Sequence, residues 1–135
     1  MRRILIDTNF LMIPYKFKID IFSEFGRICN FNFRLHIFKQ TMEELSNIIE
    51  KQSGSDKKAA KFALKLIQMK DIGIINSAAG SADEAMLKHS HKLDVIATQD
   101  RILKKKLLAK GMSVIILRQK KYLQLIERVK SSYVC

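Results

Sequence analysis

The sequence predicts a three-layer α/β/α fold around a five-stranded parallel sheet, and three observations predict it. Short apolar runs of strand length recur along the chain, and segments with helical periodicity lie between most of them. Capping signals and turn residues separate the two kinds. Strands that alternate with helices imply a parallel sheet covered on both faces.

The first run, residues 3–6, packs three large aliphatic residues together and ends abruptly on Asp7. Ile19, Ile21, Phe22, Phe25 and Ile28 are spaced for an amphipathic helix, and a second strand follows at 34–38. Leu45, Ile48 and Ile49 mark the next helix, and Ala59, Phe62, Ala63, Leu66 and Ile67 the one after it. Between these two helices, Gln52-Ser53-Gly54-Ser55-Asp56 reads as a flexible turn rather than a linker between domains. Residues 72–75 form the third strand, 85–93 a helix, 95–97 the fourth strand and 102–109 a helix closed by Gly111. Residues 114–117 are the fifth strand, and 122–129 are expected to form a last helix opened by Lys120-Lys121. With no internal repeat, residues 1–135 are expected to make one domain.

Composition narrows the function. The chain is 47% hydrophobic with a single proline, which excludes global disorder. Its apolar stretches are too short to span a bilayer. Asp7 interrupts the run after Met-Arg-Arg-Ile-Leu-Ile, so no secretory signal is expected and the chain reads as cytoplasmic. Cys29 and Cys135 have no metal-type spacing and are expected to be free thiols in a reducing compartment. Against 13 acids stand 25 Lys and Arg, a net charge of +12. Such a field favours a polyanion, nucleic acid before an anionic membrane surface, although a solvated lysine-rich surface would show the same surplus.

The positions of the scarce acids carry the most information. Asp7 ends a buried strand, where an unpaired carboxylate is costly. Thr41-Met42-Glu43-Glu44 and Ser81-Ala82-Asp83-Glu84 match the capping-box pattern at helix starts, and Thr98-Gln99-Asp100 places an acid at a third. Loops that follow parallel strands emerge on one edge of the sheet. Asp7, Glu44, Asp83 and Asp100 should therefore gather on one rim. Singly, each helical acid is better explained by the helix dipole, worth roughly 0.3–1 kcal/mol. Together they would repel one another unless a cation intervened. Hard oxygen donors without histidine or cysteine point to Mg²⁺ or Mn²⁺. A metal notch on a basic protein points to a nucleic-acid backbone as substrate.

These residues resemble the PIN-domain ribonucleases along essentially the entire chain. Ile-Asp-Thr-Asn at 6–9 is similar to the family's opening strand, with Asp7 as first metal ligand and Asn9 as a supporting residue. Glu44 resembles the second acid, Asp83 the third and Asp100 the fourth, with Thr98 as an auxiliary hydroxyl and Glu84 as a further supporting acid. The stretch from Ala82 through Ala-Thr-Gln-Asp-Arg at 97–101 to Lys104 is more similar to the ribosomal-RNA-processing branch than to a typical toxin, and the opening Asp-Thr-Asn-Phe-Leu-Met-Ile-Pro at 7–14 resembles archaeal members related to that branch. The resemblance implies a PIN-like fold and a Mg²⁺- or Mn²⁺-dependent endoribonuclease acting on single-stranded RNA. It further implies 5′-phosphate and 3′-hydroxyl products and a homodimer. A zinc ribbon, which some relatives carry, cannot be built from two lone cysteines.

Arg101, Lys104, Lys105, Lys120 and Lys121 are the candidate RNA-binding residues, with Lys106 and Arg118 beside them. Lys57, Lys58 and Lys61 are expected to be solvated. His36, His89 and His91 are expected to be structural or surface residues. Most phenylalanines should be core, with Phe10, Phe17 and Phe22 also candidates for a dimer face. Two other functions keep the same fold: a toxin ribonuclease paired with an antitoxin protein, and a catalytically silent RNA-binding scaffold.

Overall fold

Ile4, Leu5 and Ile6 are all fully buried, so the strand that carries them, β1 (Arg2–Ile6), occupies the sheet centre. A strand covered on both faces must be apolar on both. The computed structural model describes residues 1–127. A 3₁₀ turn (Phe10–Met12) and the short α1 (Ile13–Phe17) follow β1, then α2 (Ile21–Ile28) and β2 (Phe33–Phe38). Next come α3 (Lys39–Lys51), α4 (Gly54–Met69), β3 (Gly73–Ile75), α5 (Ala82–His89) and β4 (Val95–Ala97). The last elements are α6 (Arg101–Ala109), β5 (Ser113–Arg118) and β6 (Tyr122–Ile126).

The sheet order is β3-β2-β1-β4-β5-β6. β1 pairs in parallel with β2 and with β4, Ile6 lying opposite Ala97. Ile4 and Ile6 face a core built with α1 to α4, while Leu5 faces one built with α5 and α6. From β1 the chain winds outward through β2 and β3, then returns to β4 on β1's other side. The β1–β4 boundary is thus the topological switch point, where open α/β sheets form a crevice outside the strands' carboxyl ends. At the amino end, Arg3 donates two hydrogen bonds to the buried Asp94, at 3.0 and 2.8 Å, which commits that acid to structure.

Two expectations fail at the end of the chain. The sheet has six strands rather than five, and the sixth is antiparallel. The expected helix at 122–129 is β6 over Tyr122–Ile126, and its final two residues lie outside the described residues. Leu123 is buried between exposed Tyr122 and Gln124, a period of two rather than 3.6. Lys120-Lys121 consequently does not open a helix. It lies in a tight turn in which Gln119 and Lys120 take φ of 52° and 54°, closed by Lys121 N–H donating to the Arg118 carbonyl at 2.9 Å.

The Thr41 cap also fails. β2 runs into α3 with no loop, so α3 begins at Lys39 and Thr41 is fully buried inside its first turn. Ser81 does cap α5, accepting the Glu84 N–H at 3.1 Å. Gly111, at φ 84°, ends α6 in a Schellman motif, with Met112 N–H donating to Leu107 O and Gly111 N–H to Leu108 O. Phe10 is fully buried and stacks on Phe25, so it cannot serve a dimer face, whereas Phe17 and Phe22 stay half-buried. Cys29 is a buried free thiol, and Cys135 lies outside the described residues. Among the described residues, no helix is long and apolar enough to cross a membrane.

Candidate active site

Asp7 is the first residue past β1 and Thr98 the first past β4, so the parallel pairing of these strands sets them side by side in the switch-point crevice. Asp7 is only 3% exposed. One of its carboxylate oxygens accepts the Thr8 N–H at 2.8 Å, and the other accepts the Thr98 hydroxyl at 2.8 Å. The same Thr98 hydroxyl accepts the Asp100 N–H at 3.0 Å, which ties two of the acids together.

Each remaining acid reaches the crevice from a helix, Asp83 and Asp100 from its start and Glu44 from its second turn. Glu44 is in α3, and its two oxygens accept different donors: the Thr8 hydroxyl at 2.6 Å and the Ala82 N–H at 3.0 Å. The buried Thr41 hydroxyl lies 3.1 Å from that of Thr8 and extends the network. Asp100 is the N-cap of α6, accepting the Ile102 and Leu103 N–H groups at 2.9 and 3.1 Å through a single oxygen. Asp83, in the first turn of α5, is exposed and accepts no hydrogen bond from a backbone amide or a hydroxyl among the described residues.

The electrostatics show that the four acids share one space. Burial, chiefly, pushes the Asp7 carboxyl up to about 6, with the charges of Asp83 and Glu44 adding to the effect against the Thr98 and Thr8 hydrogen bonds. Burial also raises Asp83, as do Asp100 and Glu44, while Lys106 opposes the rise. None of the four acids has an ion-pair partner among the described residues. Among the described residues no group of three or more His, Cys, Asp or Glu side chains is placed to hold a metal ion, and what the acids form is a group coupled through its charges. Its chemistry fits a hard divalent cation. Like charges crowded without a counter-ion favour one, and Mg²⁺ in particular is held by one or two carboxylates, with waters and phosphate oxygens completing its shell.

The supporting residues divide. Thr98 is central to the network. Asn9 is exposed and engages through its backbone carbonyl, which accepts Gln99 Nε2 at 3.2 Å. Glu84 is drawn off into local structure, pairing with Lys88 at 2.7 Å and accepting the Gly80 N–H at 2.8 Å. Lys88 holds its carboxyl below the usual range. Sequence reasoning missed Thr8 and Gln40, and it assigned Thr41 to a cap. The available signal was a Gln40-Thr41 polar pair at the junction of an apolar strand and a helix.

A pocket of about 170 Å³ adjoins the acids, lined by Arg101, Lys104 and Arg118 together with Thr98 and Gln99. Arg101 and Lys104 share a helix face at i, i+3, and Arg118 ends β5 opposite them. None of these cations is ion-paired among the described residues. Lys105 lies on α6 outside this lining. Lys120 and Lys121 sit in the turn after Arg118, with the Lys120 ammonium 5.9 Å from the Phe17 ring centroid. The histidines are remote from the acids: His36 lies in β2, His89 ends α5 and His91 follows it.

Comparison with known proteins shows the family. Residues 4–120 match the family model described as a PIN like domain. Ribonuclease VapC4 of Methanocaldococcus jannaschii is 32% identical over 131 residues, covering 96% of this chain and 100% of that protein. Ribonuclease VapC9 of Archaeoglobus fulgidus is 30% identical over 118 residues, covering 86% and 83% respectively. Among solved structures, that of the PIN domain endonuclease Utp24 superposes with a TM-score of 0.75 at 20% identity, covering 95% of this chain and 96% of that one. A domain of a functionally unknown protein from Methanocaldococcus jannaschii superposes with a TM-score of 0.55 at 14% identity, covering 87% and 92%. These two structures share the fold. The chain belongs to the PIN-domain family.

Proposed function

We propose that the chain is a Mg²⁺- or Mn²⁺-dependent endoribonuclease that hydrolyses phosphodiester bonds of single-stranded RNA. The observation that carries this reading is the gathering of Asp7, Glu44, Asp83 and Asp100 in one crevice without cationic partners. These four residues would hold the ion. When bound, it polarises the scissile phosphate and makes water a nucleophile near neutral pH. Thr98 keeps Asp7 and Asp100 in register through one hydroxyl. Arg101, Lys104 and Arg118 neutralise a neighbouring phosphate and hold the strand against the acids. Lys105, Lys120 and Lys121 extend the basic surface along the RNA path.

The biological role we favour is ribosomal-RNA processing in the cytoplasm, on the strength of the motif similarity across residues 82–104. A homodimer accompanies this reading, and sedimentation equilibrium tests it. A second role, a toxin ribonuclease restrained by an antitoxin protein, is favoured by similarity to two VapC ribonucleases over 100% and 83% of their lengths. Inducing the chain in cells separates the roles. Growth arrest relieved by Asp7→Asn supports the toxin role, and accumulation of precursor ribosomal RNA on depletion supports the other.

The chemistry is tested with Asp7→Asn on a single-stranded RNA in Mn²⁺. Cleavage should be abolished, while circular dichroism and RNA affinity stay close to those of the unaltered chain. A variant that cleaves undiminished would refute the assignment of the acids.

A further inference from the structure

We infer that Gln40 is a positioning residue, holding the β3–α5 loop so that Asp83 is delivered to the crevice. The inference rests on the metal-site reading above. Gln40 lies in the first turn of α3 and is 2% exposed. Its Nε2 donates to the Ser77 carbonyl at 2.9 Å and the Ala79 carbonyl at 2.8 Å, with the Ser77 hydroxyl oxygen at 3.3 Å. The Ser77 hydroxyl in turn accepts the Ala79 N–H at 3.0 Å. Two backbone carbonyls of an irregular segment are thus satisfied by one amide from another element.

The placement matters because of how differently the acids are held. Asp7, Glu44 and Asp100 each accept two hydrogen bonds from neutral donors. Asp83 accepts none of that kind among the described residues, its side-chain hydrogen bond being with the Asp100 carboxyl, so its place depends chiefly on its backbone. That backbone is tied to α3 twice, by Gln40 at Ser77 and Ala79 and by Glu44 at Ala82. Both ties come from one face of one helix, since positions i and i+4 are neighbours. Gln40 Oε1 is buried with no partner among the described residues. The amide therefore faces the loop at the expense of its own acceptor, and an apolar residue there would satisfy neither carbonyl.

Gln40→Met keeps the bulk and removes the hydrogen bonds to Ser77 and Ala79. Mn²⁺ uptake is read by electron paramagnetic resonance, independently of cleavage. The half-saturating Mn²⁺ concentration should rise about 10-fold or more, as for partners that orient metal ligands. KM for RNA should stay unchanged, and saturating Mn²⁺ should restore most of kcat. A destabilised fold alone would not produce that split. Should Gln40→Met fail to fold, Ser77→Ala, which loosens the same junction, should shift Mn²⁺ uptake in the same direction by a smaller factor. Folded variants that bind Mn²⁺ as tightly as the unaltered chain overturn the role of Gln40. An unaltered chain that takes up no Mn²⁺ overturns the metal reading and this inference with it, and Asp83→Asn, expected to lose uptake, serves as the control.

Discussion

Two clusters of like charge meet at Thr98, and they are held by opposite means. On one side the acids sit at a strand end and in the first two turns of helices, and three of the four accept two fixed hydrogen bonds each. On the other side Arg101, Lys104 and Arg118 reach the pocket on long side chains, both arginines are exposed, and among the described residues only Arg118 of the three is held by a side-chain hydrogen bond, its Nε donating to Gln124 Oε1 at 2.5 Å across the hairpin. The contrast follows from what each cluster handles. Ligands for a small cation must stand in place beforehand, because geometry error there costs rate directly. Cations that receive a flexible RNA strand lose little by adapting, since their contribution is charge neutralisation. The acid cluster is accordingly stiff and sensitive to substitution, and the basic one forgiving.

Asp100 offers the largest break in that comparison, because it is both N-cap and candidate ligand. Asp100→Ser keeps a side-chain oxygen that can cap α6 but removes the carboxylate. Stability to urea should change by less than about 0.5 kcal/mol, since serine and aspartate cap comparably. Cleavage should nevertheless be lost. A variant that retains cleavage would reduce Asp100 to a helix cap.

The second effect is set by pH. Burial raises the Asp7 carboxyl from 3.8 to about 6, so the native chain binds this proton more tightly than the unfolded chain. That contribution to stability is present in full below about pH 4 and is lost as pH rises through about 6. Asp7→Asn is neutral throughout and does not lose it. Without metal, the variant should be more stable than the unaltered chain at pH 8, by about 3 kcal/mol, and the difference should fade towards pH 4. Urea titrations at both pH values read this directly. Added Mn²⁺ at pH 8 should reverse the ranking, because a cation stabilises only the ionised carboxylate.

Most of this site could be foreseen because its parts obey local rules. Five strands, each ending at its expected place to within a residue, brought four acids to one edge. Ser81 capped a helix as its sequence pattern required. What escaped was set by non-local contacts. Thr41 has the look of a cap, yet β2 enters α3 without a loop and its hydroxyl meets Thr8. Glu84 sits beside Asp83 in sequence, but one residue turns a helical side chain by about 100°, and Glu84 ends up on Lys88. At 122–126 the chain forms a strand rather than the expected helix, and the turn before it contains no glycine or asparagine to signal a hairpin.

Arg118 probes the forgiving half of the site. Arg118→Ala should weaken binding of single-stranded RNA several-fold at low salt. The slope of log affinity against log salt should fall by about 0.7, the value for one phosphate contact on a single strand. The rate at saturating RNA should hold. An unchanged slope would remove Arg118 from the RNA path.

The smallest effect tests whether the basic wall depends on its scaffold. Gln119 and Lys120 both occupy the left-handed region in the turn that follows Arg118. A non-glycine residue there costs about 1 kcal/mol relative to glycine, partly offset by glycine's greater freedom in the unfolded chain. Gln119→Gly should therefore raise stability by a few tenths to about 1 kcal/mol, read as a rise of a few degrees in Tm. If charge rather than exact placement governs the pocket, RNA affinity should not move as the turn relaxes. A loss of affinity in this more stable variant would mean that the pocket, like the acid crevice, depends on fixed geometry, and the two halves of the site would then be built alike.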